Sequence, residues 1–237
     1  MKPDTICGAP AVAALFARRP QDALRLFYTE AFKQQAGPWC ATLAAAHKPY
    51  RMLPPEQMEK VAATPHHGGV AVVANPRDIP VFNPAKPPDG KLLLVLDGIG
   101  NPHNLGDIAR SAAFFGVPAL VIGDSPGAAL PSDAAYRTAE GGLDLLQVYR
   151  CDALPAALVA LSRHFLTVAA SLSPSALTLP DLPRDKPIVL VLGNEEHGIS
   201  GPVLSACRRR VRIDGSGQVQ SLNVAQAAAV LLHTMMG

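Results

Sequence analysis

Charge is scarce in this sequence. Only 17% of the 237 residues are charged against 49% hydrophobic, so disorder is excluded and there is ample apolar material for a core. The formal net charge is just +2. The molecule as a whole exerts too weak a field to draw in a polyanion, and a nucleic-acid partner has to be held by a local basic patch. Cysteine is equally sparse. Cys7, Cys40, Cys151 and Cys207 stand far apart, with no C-x-x-C pair and no Cys/His cluster at zinc spacing, which points to reduced, mostly buried thiols and no metal. Apolar stretches are broken by Pro, Gly or charge well short of the roughly 20 residues that cross a bilayer. The N-terminus lacks the charged-then-apolar pattern of a signal peptide, and the expectation is a cytoplasmic chain without membrane contact. Internal repeats are missing too.

What is present falls into two parts. Residues 8–19 read as a helix, 23–28 alternate like a short strand, 30–47 form a second helix, 50–53 a short strand, 55–62 a helix, and the run VAVVA at 70–74 a buried strand. This is a small α/β unit, taken as a domain over 1–75. Residues 76–90 belong to a stretch with five prolines and no apolar periodicity, and read as a linker. From 91 to 237 apolar runs alternate with helical patterns. Strands are predicted at 92–96, 119–122, 145–149, 166–171, 188–192 and 211–213, and helices near 104–115, 132–139, 153–163 and 221–236. Near-continuous Val, Leu and Ile strands separated by helices indicate a parallel sheet covered on both faces. The fold class is α/β.

Three segments of the second part carry candidate chemistry. The first, LDGIGNPHNLGDIARSA at 96–112, joins a predicted strand to the next helix, where parallel sheets place ligands. It is not a dinucleotide fingerprint, because Gly98-Ile99-Gly100 is followed by Asn101-Pro102-His103 rather than x-x-G. The second, VLVLGNEEHGIS at 189–200, runs from a strand into a glycine turn. Gly193 there admits close approach to the backbone and Glu195 stands just past the strand end, although plain turn chemistry explains the same residues. In the third, VRIDGSGQVQSLNVAQAAA at 211–229, a glycine-rich loop reaches Ser221-Leu222-Asn223 at the mouth of an alanine-rich helix. Ser221 is a good N-cap, which leaves Asn223, a poor interior helix former, as the residue to explain.

In this order the three segments resemble the sequence motifs of the SpoU/TrmH family within the SPOUT methyltransferases. The matching residues are N-P-H-N-L-G-x-I-x-R-S-A from Asn101, L-G-N-E-x-x-G-I from Leu192 and G-x-V-x-S-L-N-V from Gly217. The resemblance implies a SPOUT domain whose parallel sheet ends in a deep trefoil knot. It also implies S-adenosyl-L-methionine as cofactor, held around Leu192, Gly193, Asn194, Ile213, Leu222 and Asn223. The product would be a ribose 2′-O-methyl group on RNA. Arg110 is then the central catalytic residue, with Asn104, Glu195, Ser221 and Asn223 positioning ribose, phosphate or cofactor. A guanidinium keeps its proton far above neutral pH and is no free base there, so Arg110 is expected to hold a phosphate or the developing alkoxide. Without the motif it would read as a surface ion pair.

The front of the chain, over residues 8–28 and the His67-Gly68-Gly69-Val70 step, resembles the family's ribosomal-protein-like substrate-binding domain. Its Arg18, Arg19, Arg25 and Lys33 either grip phosphates or mark a solvated face. This domain favours rRNA over tRNA as partner, and the family implies a homodimer. Two departures stand out: Asp214-Gly215 where many relatives carry Pro-Met, and Ala225-Gln226 after Val224. His103 and His197 flank the motifs, and His66 and His67 read as turn residues. The run Arg208, Arg209, Arg210 and Arg212 either binds RNA or complements a helix C-terminus. Two rival classes remain: a non-catalytic RNA-binding or ribosome-assembly factor with the same fold, and a nucleotide-cofactor oxidoreductase, which lacks its fingerprint.

Overall fold

A computed structural model describes residues 2–237. The first sheet is built from β1 (Asp4–Cys7), β2 (Ala23–Tyr28), β3 (Tyr50–Met52) and β4 (Val70–Ala74) in the order β1-β4-β2-β3. Only β3 runs parallel to its neighbour β2; β4 is antiparallel to both β1 and β2. Helices α1 (Ala9–Arg18), α2 (Lys33–Ala45) and α3 (Pro55–Ala62) complete this unit. Strand β1, only four residues long, is too short to show a period in the sequence. The predicted helix over 30–47 begins as a 3-10 turn, Glu30–Phe32, before α2.

The second sheet holds β5 (Leu92–Asp97), β6 (Ala119–Gly123), β7 (Gln147–Cys151), β8 (Leu166–Ala170), β9 (Ile188–Gly193) and β10 (Arg209–Val211). Its order is β10-β8-β9-β5-β6-β7, and every pairing is parallel. The connecting helices are α4 (Pro102–Phe114), α5 (Asp133–Ala139), α6 (Gly142–Leu145), α7 (Leu154–Leu161) and α8 (Gly201–Ala206), and α9 (Val224–Met236) follows β10. Because both faces are covered, alternate residues of one strand enter different cores. Leu92, Leu94 and Leu96 pack with α4, α9 and the first unit, while Leu93 and Val95 pack with α7 and Val203 of α8. The unbroken LLLVL run follows directly. Gly106 allows α4 to lie close on α5, since a Cβ there would stand 2.6 Å from the Ala135 carbonyl oxygen.

Several boundaries differ from expectation. The predicted strand over 145–149 starts at Gln147 because residues 142–145 close the short helix α6. The predicted strand over 211–213 is β10, two residues earlier. Arg209 and Arg210 therefore lie in a strand, and α8 ends at Ala206; the helix-dipole reading of that arginine run is withdrawn. The proline-rich segment at 76–90 docks rather than hanging free. Phe82 is buried, its amide donates to the Arg150 carbonyl of β7 at 2.7 Å, and the Arg150 amide donates back to the Pro80 carbonyl at 3.0 Å. No helix of the described residues is long and apolar enough to cross a membrane.

A buried ionic cluster joins the two sheets' units. Arg19 is 7% exposed, so it neither grips phosphate nor marks a solvated face, in contrast to Arg18, Arg25 and Lys33, which are exposed. Its Nε donates to Asp144 Oδ1 at 2.8 Å, its Nη1 to the Asn75 carbonyl at 3.0 Å and its Nη2 to the Tyr136 hydroxyl at 3.2 Å. Arg77 donates to the carbonyls of Leu143 and Leu146 and stands 3.9 Å from Asp144. Truncating one partner of such a pair strands the other charge in a low dielectric. Arg19→Ala is therefore expected to lower unfolding stability by about 3–5 kcal/mol in urea melts; a loss within the usual surface range would contradict the buried clasp.

Asp4, at the start of β1, lies beside the same cluster. Burial, reinforced by Asp133 and Asp144 and opposed by Arg19, raises its carboxyl pKa from 3.8 to about 6. A carboxyl that binds its proton more tightly when folded favours folding below its ordinary pKa, and that contribution is lost as pH rises through the folded value. Asp4→Asn should thus gain stability relative to the parent between pH 4 and pH 7. Chemical unfolding at both pH values checks this, and a difference that does not grow with pH counts against it.

Candidate active site

β5 and β9 lie side by side with Asp97 opposite Gly193. Helix α4 leaves β5 toward one face and α8 leaves β9 toward the other, so the loops diverge and a crevice opens at the strands' carboxyl ends. Two contacts stitch its two walls, and others close the turn after β9 on itself. Asp97, 5% exposed, accepts from the Ser200 amide at 2.8 Å through Oδ2. Asn194 Nδ2 donates to the Gly98 carbonyl at 2.7 Å, and its Oδ1 accepts from the amides of Glu196 and His197. Asn194 and Gly198 also exchange main-chain hydrogen bonds at 3.0 and 2.9 Å. The turn folds back so tightly that a Cβ on Gly193 would stand 2.4 Å from Gly198 C and Ile199 N. This glycine is demanded first by the chain's own turn, whatever else approaches it.

Beside this turn lies a cleft of about 930 Å³, within the range that holds cofactor-sized ligands. Leu192, Gly193, Asn194, Glu195, Ile213, Ser221, Leu222 and Asn223 all line it, so eight of the sequence-predicted residues share one cavity. The loop over 214–223, which forms one wall, is exposed throughout. Asp214 also lines the cleft, and its carboxylate accepts from Arg212 Nε at 2.7 Å. The charge introduced by that departure is thus paired.

Asn104, 9% exposed in the first turn of α4, sits behind the wall. Its Nδ2 donates to Glu195 Oε1, and its Oδ1 accepts from Asn223 Nδ2 at 3.2 Å. The oxygen of Asn223 in turn accepts from the Ala225 amide at 2.8 Å. Asn223 is therefore the N-cap of α9, and the assignment of that cap to Ser221 is corrected. The helix starts at Val224 because Asn223, anchored to Asn104, already serves its first free amides. Ser221 stands exposed on the cleft wall, relieved of capping.

Arg110 is not brought to this cavity. It lies on the exposed side of α4, about half exposed, with Nη2 2.9 Å from Glu140 Oε2. His103 Nδ1 lies 3.0 Å from Thr138 Oγ1, and His197 is solvent-exposed next to Glu196. His67 is buried, its Nδ1 accepting from the Gly69 amide at 3.0 Å, as suits a turn residue. Two residues of the site were missed from sequence. Asp97 had a signal, a lone carboxylate closing the apolar run LLLVLD. Asn101 caps α4 through the His103 amide at 2.8 Å, and the Asn-Pro pair that marks a cap followed by the first helical position was the clue.

Adding a methyl group at Gly193 forces the return strand of the turn outward, because the atoms it meets are main chain. Gly193→Ala is expected to destabilise the protein by about 1–3 kcal/mol and to speed amide exchange across 194–200. Unchanged exchange in that loop would show that the turn tolerates a side chain.

The comparisons agree with this architecture. A model described as "SpoU rRNA Methylase family" matches residues 91–233, and one described as "RNA 2'-O ribose methyltransferase substrate binding" matches residues 5–80. The chain is 33% identical over 229 residues to "Uncharacterized tRNA/rRNA methyltransferase YfiF" of Escherichia coli O157:H7, covering 96% of this chain but 66% of that protein, about two thirds of its length. It is 29% identical to "23S rRNA (guanosine-2'-O-)-methyltransferase RlmB" of Acinetobacter baylyi over 98% of this chain and 96% of that one. Among solved structures, "AdoMet bound rRNA methyltransferase from Sinorhizobium meliloti" superposes with a TM-score of 0.78 at 20% identity, over 99% of this chain and 87% of that one, a likeness of fold. With a family model matching more than half of its residues, the chain belongs to the SpoU rRNA methylase family.

Proposed function

We propose that this protein transfers a methyl group from S-adenosylmethionine to a ribose 2′-hydroxyl of structured RNA, with ribosomal RNA the favoured substrate. The observation that carries the reading is the hydrogen-bonded chain Glu195–Asn104–Asn223, which holds a carboxylate at the rim of a cofactor-sized cleft at the strand ends. The donor would supply an electrophilic methyl on a sulfonium. The residues fit it: main chain of the turn after β9 and of the loop over 213–222 offers amides and carbonyls to polar edges, and Leu192, Ile213 and Leu222 give apolar wall. The name of the Acinetobacter relative supports ribose 2′-O chemistry, and the fold shared with an AdoMet-bound structure supports the donor. The reading includes the family's trefoil knot around these loops.

Alignment of the hydroxyl with the methyl group is most of the task. Asn104 and Asn223 fix Glu195, so that its carboxylate orients the ribose or accepts its proton through water. Arg110 supplies a permanent positive charge for a phosphate or the developing alkoxide. Since it lies outside its own chain's cleft, we assign it to the cleft of a partner subunit in a homodimer, released from Glu140 when RNA binds.

Arg110→Ala should retain S-adenosylmethionine binding by calorimetry yet lose methyl transfer to RNA by more than about tenfold. Mixing it with Asn223→Ala, itself expected to be inactive, should restore transfer, because one site of the mixed dimer then has an intact cleft and an intact Arg110. Equal transfer by Arg110→Ala removes the residue from the chemistry, and failure of the mixture to recover confines the site to one chain. Alkali-resistant ribose methylation in cellular RNA, compared with and without the protein, identifies the target.

A further inference from the structure

The edge of the second sheet that faces away from the cleft gathers basic residues from four adjacent strands. In a parallel sheet all strands begin on the same edge. In the spatial order β10-β8-β9-β5, the starts are preceded by Arg208, by Arg163, by Arg184 and Lys186, and by Lys91, and Arg209 opens β10 itself. Main-chain hydrogen bonds tie these approaches together: Arg208 to Thr167 at 3.0 Å, Leu166 to Pro187 at 2.8 Å and Ile188 to Lys91 at 2.9 Å. Arg208 Nη2 also reaches Ser162 Oγ at 3.4 Å, bridging the start of β10 to the turn before β8.

All six basic side chains are exposed, and among the described residues none of them forms an ion pair. Only Asp89 and Asp185 bring negative charge into the same approaches. Six basic groups against two carboxylates here leave fifteen basic and seventeen acidic residues elsewhere, so the rest of the chain is net negative. An ordinary solvated face mixes and pairs its charges more evenly; this row is basic by six to two and unpaired. Four neighbouring strands at about 4.8 Å spacing make it roughly 14 Å wide, too long for one small anion and suited to successive phosphates. Strands of this length also place it about 17–20 Å from the cleft, too far to touch the target ribose.

We propose that this edge is a second docking surface for structured RNA, gripping the phosphate backbone of a stretch remote from the one that enters the cleft. The inference rests on the RNA-methyltransferase reading above for its partner. It explains how a chain of nearly balanced charge holds a polyanion: the positive charge is concentrated where it adds affinity without specifying sequence.

The test uses a mixed-sequence RNA duplex of about 20 base pairs, the full chain, and the triple variant Arg163→Ala, Lys186→Ala, Arg208→Ala. Fluorescence anisotropy is read from about 50 to 200 mM salt, where phosphate contacts dominate the dependence. The variant should bind at least about tenfold more weakly at low salt, with the slope of log affinity against log salt reduced by about two to three. Arg163→Glu alone should show the same direction, which guards against a folding defect in the triple variant. S-adenosylmethionine binding should be unchanged in both. Equal affinity and slope in parent and variants overturn the surface while leaving the cleft untouched. A parent protein that binds no S-adenosylmethionine overturns the enzymatic reading, and the salt slopes still judge the surface on their own.

Discussion

Asn104 is a buried amide that must satisfy two opposite demands at once. It donates to the carboxylate of Glu195, which comes from the loop after β9, and accepts from the amide of Asn223, which opens α9. A carboxylate in its place would repel Glu195, and an apolar side chain would leave the exposed Glu195 and Asn223 side chains to water, no longer tied to α4. Through this one side chain the loop after β5, the turn after β9 and the start of the last helix hold a common geometry. These three segments, distant in sequence, cannot move apart without breaking one of the two part-buried hydrogen bonds of Asn104.

The rest of the crevice repeats the same logic with main-chain partners. Asn194 ties the two loops through Gly98, Asp97 receives the Ser200 amide, and Gly193 has no side chain because the return of the turn occupies that space. These groups spend their hydrogen-bonding capacity on the scaffold. That leaves Glu195, Ser221, the remaining main chain of the turn after β9 and of the exposed loop over 214–223, and the apolar wall of Leu192, Ile213 and Leu222 as the surface available to a ligand. Rigid support behind a small number of exposed polar groups is what positioning chemistry requires.

The first unit is fixed to the second by a different means. Arg19, Asp144 and Arg77 are charged and largely removed from water, and their pairing, together with an apolar cluster continuous across both sheets, sets one relative orientation. Buried ion pairs add little net stability, yet they penalise every arrangement that separates them. The first unit so held presents its surface at a constant angle to the cleft. The uneven spread of charge, negative elsewhere and positive along the strand starts, then acts on a body of defined shape.

Much of this was open to reading from sequence. The alternating runs of Val, Leu and Ile declared a two-sided parallel sheet, since only strands buried on both faces are apolar at every position. The three loop motifs placed eight residues that share one cavity, because chemistry at strand ends leaves local signatures in glycine, asparagine and glutamate. What escaped depended on partners far away in the chain. Arg19 looks like any surface arginine until Asp144, 125 residues on, is seen beside it. Ser221 looks like the cap until Asn104 anchors Asn223, and Arg110 carries the family's motif while its position faces Glu140 rather than the cleft. Sequence by itself determined the periodicity, the strand ends and the residue types at the site, which are local properties of the backbone and side chains. Tertiary structure alone decided which side chains meet, since burial and pairing are set by the packing of segments from 30 to 125 residues apart.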